Sequence, residues 1–134
     1  MAMDLVRRPE RYQVLVASNL FGDIISDLAA EITGGLGLAP SANIHPGRHA
    51  LFEPVHGSAP DIAGPGRANH LGAIRCVGLL FDHLGHADAG ARVEAAAIAS
   101  FQAGCRTPDL GGDRSTEDVG TWIVEHLQSD YANG

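Results

Sequence analysis

One stretch limits the architecture of this chain more than any other. Tyr12–Ala17 reads YQVLVA, short, rich in strand-forming residues and apolar at nearly every position. Side chains on a strand alternate between faces, so an unbroken apolar run asks for cover on both. The segment predicts a strand buried on two sides, and with the helices around it an α/β fold.

The segments around it supply the helices. Met1–Arg11 reads as the end of a helix, with Arg7 and Arg8 suited to the negative end of its dipole and Pro9 stopping it. Ser18 and Asn19 are capping types ahead of a helix at about Leu20–Thr33, which Gly34, Gly35 and Gly37 end. A strand at Ala50–Pro54 leads into a Gly/Pro-rich loop, Val55–Gly66. Apolar spacing predicts a helix over Leu71–Leu84, stopped by Gly85. Asp88 is the expected cap of the next helix, Ala89–Ala103, and Thr107–Gly112 reads as extended. Ser115 and Asp118, at capping-box spacing, start a last helix ending near His126 or Leu127, with Ser129–Gly134 a frayed tail. The 134 residues suffice for one domain, with short strands and four to five helices.

Charge narrows the function. Sixteen acidic residues stand against nine basic ones, a formal net charge of −7, which argues against nucleic acid or an anionic membrane as partner. No apolar run approaches the ~20 residues of a membrane span, nor does the N-terminus read as a signal peptide, so the expected location is the cytoplasm. All nine basic residues are arginines; the chain has no lysine to act as general base. Cys76 and Cys105 lack metal-ligand spacing and are expected to be buried free thiols.

Two constellations carry chemistry. In NLFGDIISD, Asn19–Asp27, Asp23 and Asp27 stand four apart and leave one helix face together, with Glu31 a turn further on. Flanking Leu20, Phe21, Ile24, Ile25 and Leu28 predict that the rest of this helix packs into protein. A carboxylate stripe there suits a hard divalent cation such as Mg²⁺ or Mn²⁺; a solvated helix face fits the spacing as well. In LFEPVHGSAPDIAG, Leu51–Gly64, prolines and glycines fix a polar loop after a strand. Such a loop can present N–H groups to a phosphate, and Asp61 to a ribose diol, but it equally suits a rigid surface turn. The dinucleotide fingerprint GxGxxG is absent.

Together, NLFGDIISDLAAEITGGLGLAPSANI (Asn19–Ile44) and LFEPVHGSAPDIAG resemble the β-decarboxylating dehydrogenases, which act on 3-isopropylmalate, isocitrate, homoisocitrate or tartrate/D-malate. Asn69 in RANH falls in the place of the family's ANP segment. The resemblance implies the C-terminal part of an isopropylmalate-dehydrogenase-like fold, a single partial domain, working as a homodimer. It implies that Asp23 and Asp27 are Mg²⁺ or Mn²⁺ ligands. His56, Gly57, Ser58, Ala59, Asp61 and Asn69 would hold the adenosine half of NAD, with Gly37 and Ser41 nearer its nicotinamide. An acidic residue at Asp61 goes with NAD rather than NADP.

The implied reaction is NAD- and metal-dependent oxidative decarboxylation of a small-molecule 2-hydroxy acid, with 3-isopropylmalate favoured over tartrate/D-malate or isocitrate. The family's third metal-binding aspartate, substrate arginines, catalytic tyrosine and lysine base would precede Met1, and neither Tyr12 nor Tyr131 sits in the tyrosine's context. No catalytic residue is therefore assigned to this chain. By itself it is expected to be an inactive fragment that at most binds nucleotide or metal, with exposed apolar patches on the helices at Leu20–Thr33 and Leu71–Leu84. His70 stands in place of the usual proline, and Pro65 and Arg67 also depart from the pattern.

Overall fold

The computed structural model describes residues 1–132 and is mixed α/β, with five α-helices and one two-stranded sheet. Helix α1 (Ala2–Arg7) ends at a 3₁₀ turn begun by Pro9, a residue that cannot donate into a continuing helix. Its Leu5 is buried, and α1 packs on α2 (Asn19–Ile32), whose Ala30 is buried. Tyr12 donates a 2.8 Å hydrogen bond to Asp4, fastening the turn back onto α1.

Helix α2 ends where the sequence predicts. Thr33 returns its N–H and hydroxyl to the carbonyls of Ala29 and Ala30, and Gly34 and Gly35 adopt φ of +118° and +103°, which side chains disfavour. A 3₁₀ turn, Leu36–Leu38, then feeds an antiparallel hairpin of β1 (Pro40–Ile44) and β2 (Ala50–Pro54). Pro40 faces Pro54 and Ile44 faces Ala50, so the prolines lie at strand ends, where lost donors cost least.

The core is helical. Helices α3 (Leu71–His83), α4 (Ala87–Gln102) and α5 (Thr116–Ala132) gather Leu71, Ala96, Ala97, Val119 and Ile123, with Cys105 from the α4–α5 connection. Small residues let α3 and α4 come close: a Cβ on Gly90 would lie 2.7 Å from the Gly78 carbonyl oxygen. Both cysteines are free and buried, as expected. Ser115 and Asp118 form the reciprocal cap that opens α5, Ser115 N–H donating to Asp118 at 3.0 Å and Asp118 N–H to the Ser115 hydroxyl at 3.1 Å.

Several expectations are corrected. Tyr12–Ala17 is not a strand; Val14 and Val16 are 81% and 93% exposed. A strand exists only against a hydrogen-bonded neighbour, and among the described residues no strand pairs with it. Along α2, Leu20, Phe21 and Ile24 face solvent rather than packing into protein, the exposed patch expected of this helix. On α3 the expected exposed patch is present: Leu71, Gly72, Cys76 and Gly78 are buried, while Val77, Leu79 and Leu80 are exposed. His86, not Asp88, occupies the N-cap position of α4, without a side-chain capping bond, and Asp88 lies in the first turn. Pro108–Leu110 is a 3₁₀ turn within the stretch expected to be extended. Helix α5 continues past Leu127 to Ala132; of the tail expected to fray, Ser129–Gly134, residues 133–134 lie outside the described residues.

Candidate functional site

The two constellations meet. A cleft of about 400 Å³ is lined by Asp23, Ser26 and Asp27 from α2, Ser41 from β1, Glu53 and Pro54 from β2, and Val55, His56 and Gly57 from the loop that follows. Each side arrives for a local reason. One helical turn separates Asp23 from Asp27. The hairpin register sets Ser41 directly opposite Glu53, and β2 passes straight into the histidine loop, with Val55 N–H donating to Ala39 O at 3.2 Å.

The charge of this cleft has one sign. Asp23, Asp27 and Glu53 contribute carboxylates, and none of the lining residues is an arginine. Both aspartates are exposed, and Asp23 accepts a 3.3 Å hydrogen bond from the Asn19 amide. Among the described residues no group of three or more His, Cys, Asp or Glu side chains converges as a complete metal cage. Two carboxylates with open space beside them nonetheless fit Mg²⁺ or Mn²⁺, which commonly take one or two protein carboxylates and fill their other positions with water or substrate oxygens.

The histidine loop has polar capacity to spare. His56 Nδ1 lies 2.9 Å from the Gly57 carbonyl, whereas its Nε2 is buried with no partner, a state that normally calls for one. Ala59 takes a left-handed conformation, φ 45°, disfavoured for a residue with a Cβ, and it opens the 3₁₀ turn Pro60–Ile62 that carries the exposed Asp61. The far end of the loop is tied to α5, because Thr116 N–H donates to Gly66 O at 2.7 Å and its hydroxyl to Ala68 O at 2.6 Å.

The assigned residues therefore divide. Asp23, Asp27, Ser41, His56 and Gly57 share the cleft; Ser58, Ala59 and Asp61 continue along the loop outside its lining. Gly37 and Asn69 meet elsewhere, so closely that a Cβ on Gly37 would lie 2.8 Å from the Asn69 amide nitrogen. The Asn69 side chain already has internal partners: Oδ1 accepts Leu71 N–H at 2.9 Å, and Nδ2 donates to Asp109 at 2.9 Å. One N–H of the amide and one lone pair of its oxygen remain for a further contact. His70 stands at the N-cap position of α3 without a capping side-chain hydrogen bond and does not line the cleft; its ring rests against Gly120, and burial pushes its pKa down.

Sequence reasoning passed over Glu53 as a site residue. The clue was its place directly before Pro-Val-His-Gly in β2, although only the pairing with Ser41 turns it toward the cleft side.

Comparison with known proteins identifies the family. A family model described as isocitrate/isopropylmalate dehydrogenase matches residues 1–123. The isocitrate/homoisocitrate dehydrogenase of Thermus thermophilus is 56% identical over 128 residues, covering 96% of this chain and 38% of that protein. The 3-isopropylmalate dehydrogenase of Clavibacter michiganensis subsp. michiganensis is 50% identical over 129 residues, covering 95% of this chain and 36% of that protein. The crystal structure of isocitrate dehydrogenase from Methylococcus capsulatus superposes with a TM-score of 0.86 at 46% identity, over 94% of this chain and 38% of that one. The chain thus spans less than two-fifths of the length of these relatives, and it belongs to the isocitrate/isopropylmalate dehydrogenase family.

Proposed function

We propose that this chain carries the divalent-metal and dinucleotide contacts of an NAD-dependent oxidative decarboxylase of 2-hydroxy acids. The observation that carries the reading is the shared cleft, in which Asp23 and Asp27 face the Ser41 hairpin and the His56–Gly57 loop. When bound, Mg²⁺ or Mn²⁺ supplies Lewis acidity toward the oxygens of a hydroxy acid, and NAD accepts its hydride.

The residues of this chain bind and orient. Asp23 and Asp27 hold the cation, and the unpartnered Nε2 of His56 gives the adenosine half of NAD a polar contact in a loop that includes Gly57, Ser58 and Ala59. Asp61, exposed at the start of its turn, accepts from a ribose diol and repels a 2′-phosphate. Gly37 and Ser41 border the nicotinamide end. Substrates named for the relatives, isocitrate, homoisocitrate and 3-isopropylmalate, share the hydroxy-acid group that such a cation grips. Exposed Leu20, Phe21 and Ile24 on α2 fit a homodimer contact.

A second reading has its own support. A chain with no lysine has no lysine base, so by itself it acts as a binding fragment without turnover. The test is a titration of the chain with NAD and NADP. NAD is expected to bind more tightly, Asp61→Lys to move preference toward NADP, and no NADH to form from isopropylmalate or isocitrate with Mn²⁺. Unchanged selectivity in Asp61→Lys would remove Asp61 from the ribose, and turnover would refute the fragment reading.

A further inference from the structure

The segment joining Gly37 to Ser41 connects two parts of the proposed site, since Gly37 abuts Asn69 and Ser41 lines the carboxylate cleft. Its backbone carbonyls are turned toward α3. A Cβ on Gly72 would lie 3.1 Å from Gly37 O and 3.3 Å from Ala39 O. One turn on, Arg75 Nη1 donates to Leu38 O at 2.7 Å, and Cys76 Sγ lies 4.0 Å from Ser41 O. Residues 72, 75 and 76 have the i, i+3, i+4 spacing of one helix face. That face meets four of the segment's five carbonyls, those of Gly37, Leu38, Ala39 and Ser41.

Arg75 is itself held. Its Nε and Nη2 donate to the two carboxylate oxygens of Glu94 on α4, each at 2.8 Å. An ordinary surface ion pair contributes little, and both side chains are part-exposed. This one is bidentate, which fixes the guanidinium plane and aims the remaining Nη1 donor at a carbonyl that ends a 3₁₀ turn. A pair that merely tied α3 to α4 would need no third bond to Leu38.

We infer that Arg75, oriented by Glu94, is a positioning residue that sets the Gly37–Ser41 segment for dinucleotide binding. The inference rests on the proposed reading of Gly37 and Ser41 as the nicotinamide border.

The experiment compares the wild-type chain with Arg75→Leu, Arg75→Lys and Glu94→Gln by amide hydrogen exchange and NAD titration. In Arg75→Leu, exchange at the Leu38, Ala39 and Val55 amides, all bonded within or onto this segment, should speed up by roughly tenfold or more, the scale of one lost charge-assisted hydrogen bond. Core amides of Val119 and Ile123 should keep their rates, and NAD affinity should fall by a similar factor. Arg75→Lys, which keeps the charge on a single donor nitrogen but loses the planar fork, should recover part of both effects. Glu94→Gln keeps a carbonyl acceptor for the guanidinium and should give a smaller loss in the same direction if Arg75→Leu does not fold. Equal acceleration throughout the core, or a loosened segment with unchanged NAD affinity, would overturn the positioning role while leaving the dinucleotide reading standing. Absence of NAD binding by the wild type would overturn both.

Discussion

The crossing of α3 and α4 depends on two glycines whose surroundings differ, and the difference can be measured. A methyl group at Gly90 would lie 2.7 Å from the backbone oxygen of Gly78, where ordinary contact begins at 3.4 Å; at Gly78 the nearest atom, Gly90 O, is 3.3 Å away. Backbone cannot rotate aside, so Gly90→Ala must push the helices apart by several tenths of an ångström. Overpacking of that kind costs about 1–3 kcal/mol. Replacing glycine within a helix returns roughly 0.5–1 kcal/mol of propensity. Gly90→Ala should therefore lose about 1–2 kcal/mol net, read as a lower urea midpoint at unchanged slope. Gly78→Ala should fall within about 0.5 kcal/mol of wild type, because its milder crowding is nearly offset by the same propensity gain. Gly90→Ala as stable as wild type, or equal losses for both variants, would refute this account of the crossing.

Two further perturbations follow from titrating groups. His70 has its pKa pushed below the usual 6.5 by burial, so unfolding takes up a proton; its contribution is complete above about pH 6.5 and is lost as pH falls below it. Urea midpoints at pH 7.5 and 5.5 should differ less in His70→Gln than in wild type, and equal differences would show that His70 is not responsible. The Asp118 carboxyl is held below its ordinary range by hydrogen bonds from the Ser115 hydroxyl and N–H, which stabilise the start of α5 above that range and fail as acid protonates the carboxylate. Ser115→Ala should speed amide exchange in the first turn of α5 at neutral pH and flatten its acid dependence; a first turn unchanged in both respects would contradict the cap.

The helices, one strand and the chemical motifs were legible because their signals are local. Gly34 and Gly35 end α2, Ser115 and Asp118 open α5, and the spacing of Asp23 and Asp27 needs only a helix. What escaped depends on a partner. Pro40–Ile44 reads PSANI, poor in strand-forming residues, and pairs because β2 lies alongside it. Tyr12–Ala17 shows the converse, with strong intrinsic preference and no neighbour among the described residues to bond. Glu53 and Arg75 were missed for the same reason: register turns one toward the cleft, and a helix crossing aims the other at Leu38 O.

Mn²⁺ broadening of backbone amide signals tests the central claim most directly. Bound between Asp23 and Asp27, the ion should selectively broaden Asp23, Asp27, Ser41, His56 and Gly57, leave Val119 and Ile123 sharp, and lose its effect in Asp27→Asn. Broadening that is uniform, absent, or indifferent to Asp27→Asn would mean that these carboxylates are a solvated helix face and not a metal site.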